Sequence, residues 1–235
     1  TLNKSMKNIF IIPARAGSKG IPNKNIKLIN EVPMFAWSII HAKYISKTGD
    51  LICVSSDSEE YLKIAEEWGA RTRLRPKELA TDDAPTEPVM EDVINQFELN
   101  ENDNVILLEP TTPLRSKESL ETFMSMIDSG EKSIVSVKEA YEFEWEKSNE
   151  KYFSPKYIER TRRQDMKPKY IENGSLYFTK INVFKKLNNR VDKLSKLIVM
   201  NDTESIDVDN IEQLNLVNML GLEFNKQWNK EIATK

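Results

Sequence analysis

The chain contains one cysteine and one histidine in 235 residues. A lone Cys53 permits no internal disulfide, and its position in the apolar run 51–54 gives it the character of a small buried hydrophobe. His41 has no second histidine with which to build a zinc site. Serine–histidine or cysteine–histidine catalysis would have to pass through it. Glycine is scarce, at seven residues, and neither G-x-G-x-x-G nor G-x-x-x-x-G-K-[ST] occurs. No apolar run approaches the roughly 18 residues of a membrane span. The opening TLNKSMKN has no apolar signal core. A net charge of −3 offers no general basic face for nucleic acid. The resulting expectation is a cytoplasmic protein with neither nucleic acid nor membrane as partner, long enough for one sizeable domain with a small appendage.

What is present is an alternation of short apolar runs and helical patterns. Strands are expected at 8–14, 50–55, 71–74, 105–109 and 133–138. Helices are expected at 34–46, 59–68, 88–99 and 117–128, with Gly69 as a C-cap. Such alternation implies right-handed crossovers and an α/β fold, a doubly wound and mostly parallel sheet. Residues 140–171 break the pattern, being aromatic, charged and punctuated by proline. A structureless loop of that length is uncommon. The segment reads as a small hairpin-like extension that dimerises the protein, because exposed Phe, Trp and Tyr need covering. The domain is then 1–139 plus 172–235, with strands at 175–179 and 197–200 and helices at 182–187 and 211–220.

Five groups of residues suit chemistry. Arg15, Gly17, Ser18, Lys19, Gly20, Lys24 and Asn25 follow the first strand, where an open α/β sheet binds its ligands. Glycine brings backbone N–H groups close to a ligand, and the cations and hydroxyl suit a polyphosphate. Asp207 and Asp209 alternate, so they either meet one magnesium ion or serve as a turn residue and a helix cap. Glu109 to Arg115 lies at another strand end. Thr112 or Ser116 would cap the next helix, and Arg115 would bind a carboxylate or hold the loop. Residues 71–86 include Arg75 before Pro76 and Thr86, a turn-rich stretch able to wrap a base and ribose. Asp57 either caps the helix at 59 or faces the cleft. Arg160, Arg162, Arg163 and Asn173 offer donors for an acidic sugar, or a solvated patch.

In their order along the chain, ARAGSKGIPNKN, RPKELATDDAPT, LLEPTTPLR, ENGSLYF and ESIDVD resemble the motifs of the acylneuraminate cytidylyltransferases, the CMP-sialic acid synthetases. The likeness spans residues 9–209. It implies a Rossmann-like nucleotidyltransferase that transfers CMP from CTP to the anomeric hydroxyl of a nine-carbon keto-sugar acid, with magnesium as cofactor and a homodimer as the working form. By the same resemblance, Arg15, Gly17, Asn25, Arg75 and Thr86 would bind the nucleotide, and Ser18 and Lys19 the triphosphate. Asp207 and Asp209 would hold Mg2+, while Glu109, Arg162 and Asn173 would line the sugar pocket. Arg15, Lys19, Asp207 and Asp209 are the implied catalytic set. The chain departs from the family pattern at Glu109, where glutamine is usual, and at Glu172, where proline is common. The Lys19-Gly20 pair is similar to the sialic and legionaminic branches. Two other readings remain: a sugar nucleotidyltransferase of different base or sugar, and a non-catalytic nucleotide-binding protein.

Overall fold

A computed structural model describes residues 6–18, 20–81, 83–97 and 99–234. The chain runs β1 (Asn8–Pro13), β2 (Leu28–Ile29), β3 (Val32–Pro33), α1 (Met34–Ile45), β4 (Leu51–Ser56), α2 (Glu59–Glu67), β5 (Arg71–Leu74), α3 (Thr86–Gln96) and β6 (Asn104–Leu108). It continues through α4 (Lys117–Asp128), β7 (Ser133–Ala140), β8 (Trp145–Lys147), β9 (Phe153–Pro155), β10 (Lys169–Lys180), α5 (Ile181–Leu187), β11 (Lys196–Val199), α6 (Ile211–Phe224) and α7 (Asn229–Ala233).

One seven-stranded sheet has the order β11-β7-β10-β6-β1-β4-β5. Its strands are parallel except β10, which runs antiparallel to both β6 and β7. The sheet is apolar on both faces because successive side chains of each central strand enter different cores. Phe10, Ile12, Ile106, Leu108, Leu176 and Phe178 join α1, α2, α4 and α6 in one core. Ile9, Ile11, Val105, Leu107 and Tyr177 join α3 and α5 in the other. Each fully buried Ile or Phe contributes about 1.5–3 kcal/mol. Helix α1 is buried almost all round, because Trp228, itself fully buried, joins the same core.

Caps set the helix starts. Ser58 accepts from the Tyr61 N–H, Ser116 from Ser119, and Asn210 forms a reciprocal capping box with Gln213. Of the two candidates Thr112 and Ser116, Ser116 makes the α4 cap, while Asn210 makes the one considered for Asp209. Gly69 ends α2 with φ +82°, as expected of a C′ glycine.

The extension departs from the main sheet as the β8–β9 hairpin. Its flanks are continuous with the domain: β7 reaches Ala140 and β10 begins at Lys169, so the expected borders at 139 and 172 fall inside strands. The register of β10 on β7 slips between Glu172 and Tyr177, which bulges Asn173, Gly174 and Ser175 out of the ladder. Gly174 has φ +65°, a backbone conformation that glycine adopts without strain.

Candidate active site

The carboxyl ends of β1, β4, β5 and β6 and the bulge of β10 meet at one edge of the sheet. The segments that follow β1, β5 and β6, together with the start of α3, surround a cleft of about 180 Å3 lined by Arg15, Ser18, Lys24, Asn25, Arg75, Thr86, Glu109 and Thr111, among others. Six of the residues expected to bind ligand are thus brought together. Lys19 lies outside the described residues. Gly17 sits exposed in the loop after β1, where an added β-carbon would meet nothing.

The loop after β1 is tied down by its own chemistry. The Asn25 amide donates to the Arg15 carbonyl at 2.9 Å. The Ala16 N–H donates to Asp57 Oδ1 at 2.8 Å, so Asp57 holds the loop and leaves the α2 cap to Ser58. Asn25 Oδ1 is buried without a partner among the described residues. Arg75 is buried and donates to Ser55 Oγ at 3.2 Å, to the Ser55 carbonyl at 3.0 Å and to the Leu79 carbonyl at 3.5 Å. Burial holds its pKa below the usual value. Arg75 therefore joins the end of β4 to the turn that carries the chain toward Thr86.

Of the expected carboxylates Glu109 lines the cleft, whereas Asp207 and Asp209 are not among its lining residues. Glu109 faces the cleft, and burial pushes its carboxyl up to about 7, against the opposing pull of Arg190 and with reinforcement from Asp207. Asp207 is half-buried and its pKa is also raised by burial, with Thr111 acting in the opposite direction. Its Oδ1 has no partner among the described residues. Asp209 is mostly exposed and pairs with Lys24 at 3.1 Å. Backbone contacts lock this segment in place: Val208 N–H donates to the Thr111 carbonyl at 2.8 Å.

Gly20 packs against the same segment. A β-carbon there would lie 2.3 Å from the Asp209 carbonyl oxygen. Gly20→Ala is expected to push the β1 loop off the carboxylate segment at a cost of about 1–3 kcal/mol. Thermal unfolding and turnover, measured together, check this. Full turnover in the alanine variant would show that the contact is dispensable.

Two expected sugar residues lie elsewhere. Arg162 is exposed on the extension and pairs with Asp165 at 2.9 Å. Asn173 is buried in the bulge, where its Oδ1 accepts from Ser136 at 2.6 Å and its amide donates to Ser205 at 3.0 Å. A residue not anticipated is Arg190. Its guanidinium lies 4.8 Å from the Tyr177 ring centre and 3.5 Å from Glu87, the neighbour of Thr86. It is also the strongest cation acting on Glu109. Nothing local in the run NNRV signals this role.

Among the described residues no group of three or more histidine, cysteine, aspartate or glutamate side chains could hold a metal, and no helix is long and apolar enough to cross a membrane. A pair of carboxylates is still a donor set magnesium accepts, since its other ligands are commonly phosphate oxygens and water. The unpartnered Asp207 oxygen fits that use.

Residues 9–223 match the family model described as "Cytidylyltransferase". The chain is 34% identical over 184 residues to N-acylneuraminate cytidylyltransferase A of Danio rerio, covering 75% of this chain and 42% of the relative. It is 33% identical over 225 residues to post-translational flagellin modification protein B of Campylobacter coli, covering 92% and 95%. Against N-acylneuraminate cytidylyltransferase of Escherichia coli O18:K1:H7 it is 28% identical over 229 residues and spans 54% of that protein. The chain thus spans about half the length of the N-acylneuraminate relatives and nearly all of the flagellin modification protein. In fold it is similar to CMP:2-keto-3-deoxy-manno-octonic acid synthetase complexed with CTP, with a TM-score of 0.64 at 16% identity and coverage of 92% and 99%. A second similar structure is 4-diphosphocytidyl-2C-methyl-D-erythritol synthase, with a TM-score of 0.67 at 10% identity and the same coverage.

Proposed function

The chain belongs to the cytidylyltransferase family, and from that premise we propose that it transfers CMP from CTP to the anomeric hydroxyl of an acidic nine-carbon keto-sugar of the sialic or legionaminic type. The hydroxyl oxygen attacks the α-phosphorus, the α–β phosphoanhydride bond breaks, and pyrophosphate leaves with the bonding electron pair. The hydroxyl proton passes to solvent or to a base in the cleft. The observation that carries this reading is the convergence of Arg15, Ser18, Lys24, Asn25, Arg75 and Thr86 on one side of the cleft with Glu109 and Thr111 on the other. Phosphoryl transfer needs little covalent help from protein and depends on positioning and charge stabilisation. A cleft of strand-end cations and fixed donors can provide both without a histidine or cysteine nucleophile.

Arg15, Lys24 and Ser18 would grip the phosphates, with Lys19 beside them in sequence. Arg75 and the Thr86 segment would hold the base and ribose side. Asp207 and Asp209 would hold magnesium, which when bound supplies charge neutralisation to the phosphate oxygens. A second copy of the chain is the proposed cover for the extension, where Trp145, Tyr152, Phe153 and Ile158 are exposed.

The test is pyrophosphate release with magnesium from CTP, UTP, ATP or GTP, each paired with sialic, legionaminic or pseudaminic acid. Release with CTP alone, and with one of the first two sugars, is expected. No release from any pairing, or equal release from the other nucleotides, would overturn the reading. Light scattering on the same preparation is expected to give twice the mass of one chain; a monomer at assay concentration would remove the dimer from it.

A further inference from the structure

Arg115 is fully buried, and no carboxylate lies within salt-bridge distance of it among the described residues. Neutral acceptors take all its N–H groups. Nε donates to Ser175 Oγ at 2.9 Å. Nη1 reaches Ser38 Oγ at 3.2 Å and His41 Nδ1 at 3.3 Å. Nη2 reaches the Glu109 carbonyl at 2.7 Å, the Ser175 carbonyl at 3.0 Å and Thr112 Oγ1 at 3.2 Å. A guanidinium only donates, so His41 meets it as a neutral ring with Nδ1 accepting. Burial and then Arg115 hold the His41 pKa well below its ordinary value.

Burying a cation with no carboxylate in direct contact is costly, and Glu109 and Glu204 offset that cost only through space. A side chain that only filled this space could be apolar. What the planar fork does here is join three segments at one point: helix α1, the loop after β6, and the bulge of β10. Thr112 extends the junction by donating to the Gly174 carbonyl at 3.1 Å. The loop so held contains Thr111, whose carbonyl accepts from the N–H of Val208, the residue next to Asp207. The bulge so held packs Gly174 against Asp207, with 3.8 Å between an added β-carbon and Oδ2. Among the described residues, the hydrogen bonds donated by Ala16, Asn25 and Arg75 run to Asp57, the Arg15 carbonyl, Ser55 and Leu79 instead, and none of these involves Arg115.

We propose that Arg115 is a positioning residue for turnover, fixing Thr111 and the β10 bulge so that the Asp207 segment is held in register with the cleft, while the hydrogen bonds that hold Asn25 and Arg75 on the nucleotide side do not pass through it. This rests on the cytidylyl-transfer reading above. It separates two properties that a general loss of packing would damage together, nucleotide affinity and rate.

The experiment compares Arg115→Lys, Thr112→Val and Ser38→Ala with the original chain. It measures thermal unfolding, CTP affinity by calorimetry, and kcat from pyrophosphate release with the best sugar. Lysine keeps the charge but loses the planar fork. A misplacement of about 1 Å costs about 100-fold in rate. Arg115→Lys is therefore expected to lower kcat by about 30-fold or more, with CTP Kd within about threefold of the original. Thr112→Val cuts the junction on the cleft side and is expected to lower kcat by about tenfold, again with CTP affinity kept. Ser38→Ala cuts it on the α1 side and is expected to keep kcat within about twofold while lowering the melting temperature as Thr112→Val does. Should Arg115→Lys not fold, the contrast between the other two variants decides. Equal kcat in Thr112→Val and Ser38→Ala, or CTP Kd rising in step with the loss of kcat, would overturn the proposal. An original chain that binds CTP but releases no pyrophosphate would instead overturn the proposed function on which it stands.

Discussion

Asp207→Asn is expected to melt no lower than the original chain while releasing pyrophosphate about a thousandfold more slowly, the scale of losing an electrostatic group aimed at the reacting centre. The two halves of this result have one cause. Burial raises the Asp207 pKa, with Asp209 adding to the shift, and Oδ1 has no hydrogen-bond partner among the described residues. For an acid whose folded pKa lies above its unfolded one, ionisation favours the unfolded chain. The charge therefore costs stability at neutral pH, and that cost disappears as the pH falls below the unfolded value. Asparagine removes the charge at nearly constant shape. A retained carboxylate that destabilises its own fold is intelligible when a bound cation satisfies it. Melting temperature and kcat at neutral pH check both halves. A clear drop in melting temperature with kcat preserved would make Asp207 a structural residue and remove the metal assignment.

Glu109→Gln is expected to stabilise the chain, by an amount that grows with pH between the unfolded and folded pKa values of the carboxyl. The carboxyl is pushed up to about 7 from 4.5, burial being the largest cause. Below pH of about 4.5 the group is neutral in both states and glutamine changes little. Between the two values the unfolded chain ionises first, so the wild type loses stability as the pH rises. Above about 7 the difference levels off, at up to about 3 kcal/mol. Urea unfolding at pH 5 and pH 8 reads this directly as a separation of midpoints that widens toward the higher pH. A constant separation, or a variant less stable at pH 8, would mean that Arg190, Arg115 and Arg75 already compensate the charge in full.

The parallel core was legible in the residues because its cause is local. A strand buried on both faces must be apolar at consecutive positions, and Ile9 to Ile12 and Val105 to Leu108 are. The ligand loops were legible for a related reason: once those strands are parallel, their carboxyl ends share an edge, and the residues following them must meet. Direction and register of β10 were not legible. They depend on which neighbours a strand finds, and the slip that buries Asn173 depends on Ser136 across the ladder. Asn173 reads in sequence as a donor for an acidic sugar and is a buried fastener in the fold. Arg190 was invisible for the opposite reason. Its effect on Glu109 acts through space from a loop 81 positions away along the chain. The choice between Thr112 and Ser116 as a cap turned on where the helix begins, which propensity leaves uncertain by a residue or more.

Ala140 and Lys169 are directly opposite one another on β7 and β10. The polypeptide therefore leaves for the hairpin and comes home through adjoining rungs, four residues short of the bulge. Such a doorway decouples the growth of an insert from the scaffold that carries it. An insert whose two ends sit on adjoining rungs can be lengthened, trimmed or exchanged without demanding any change in the path of the strands behind it.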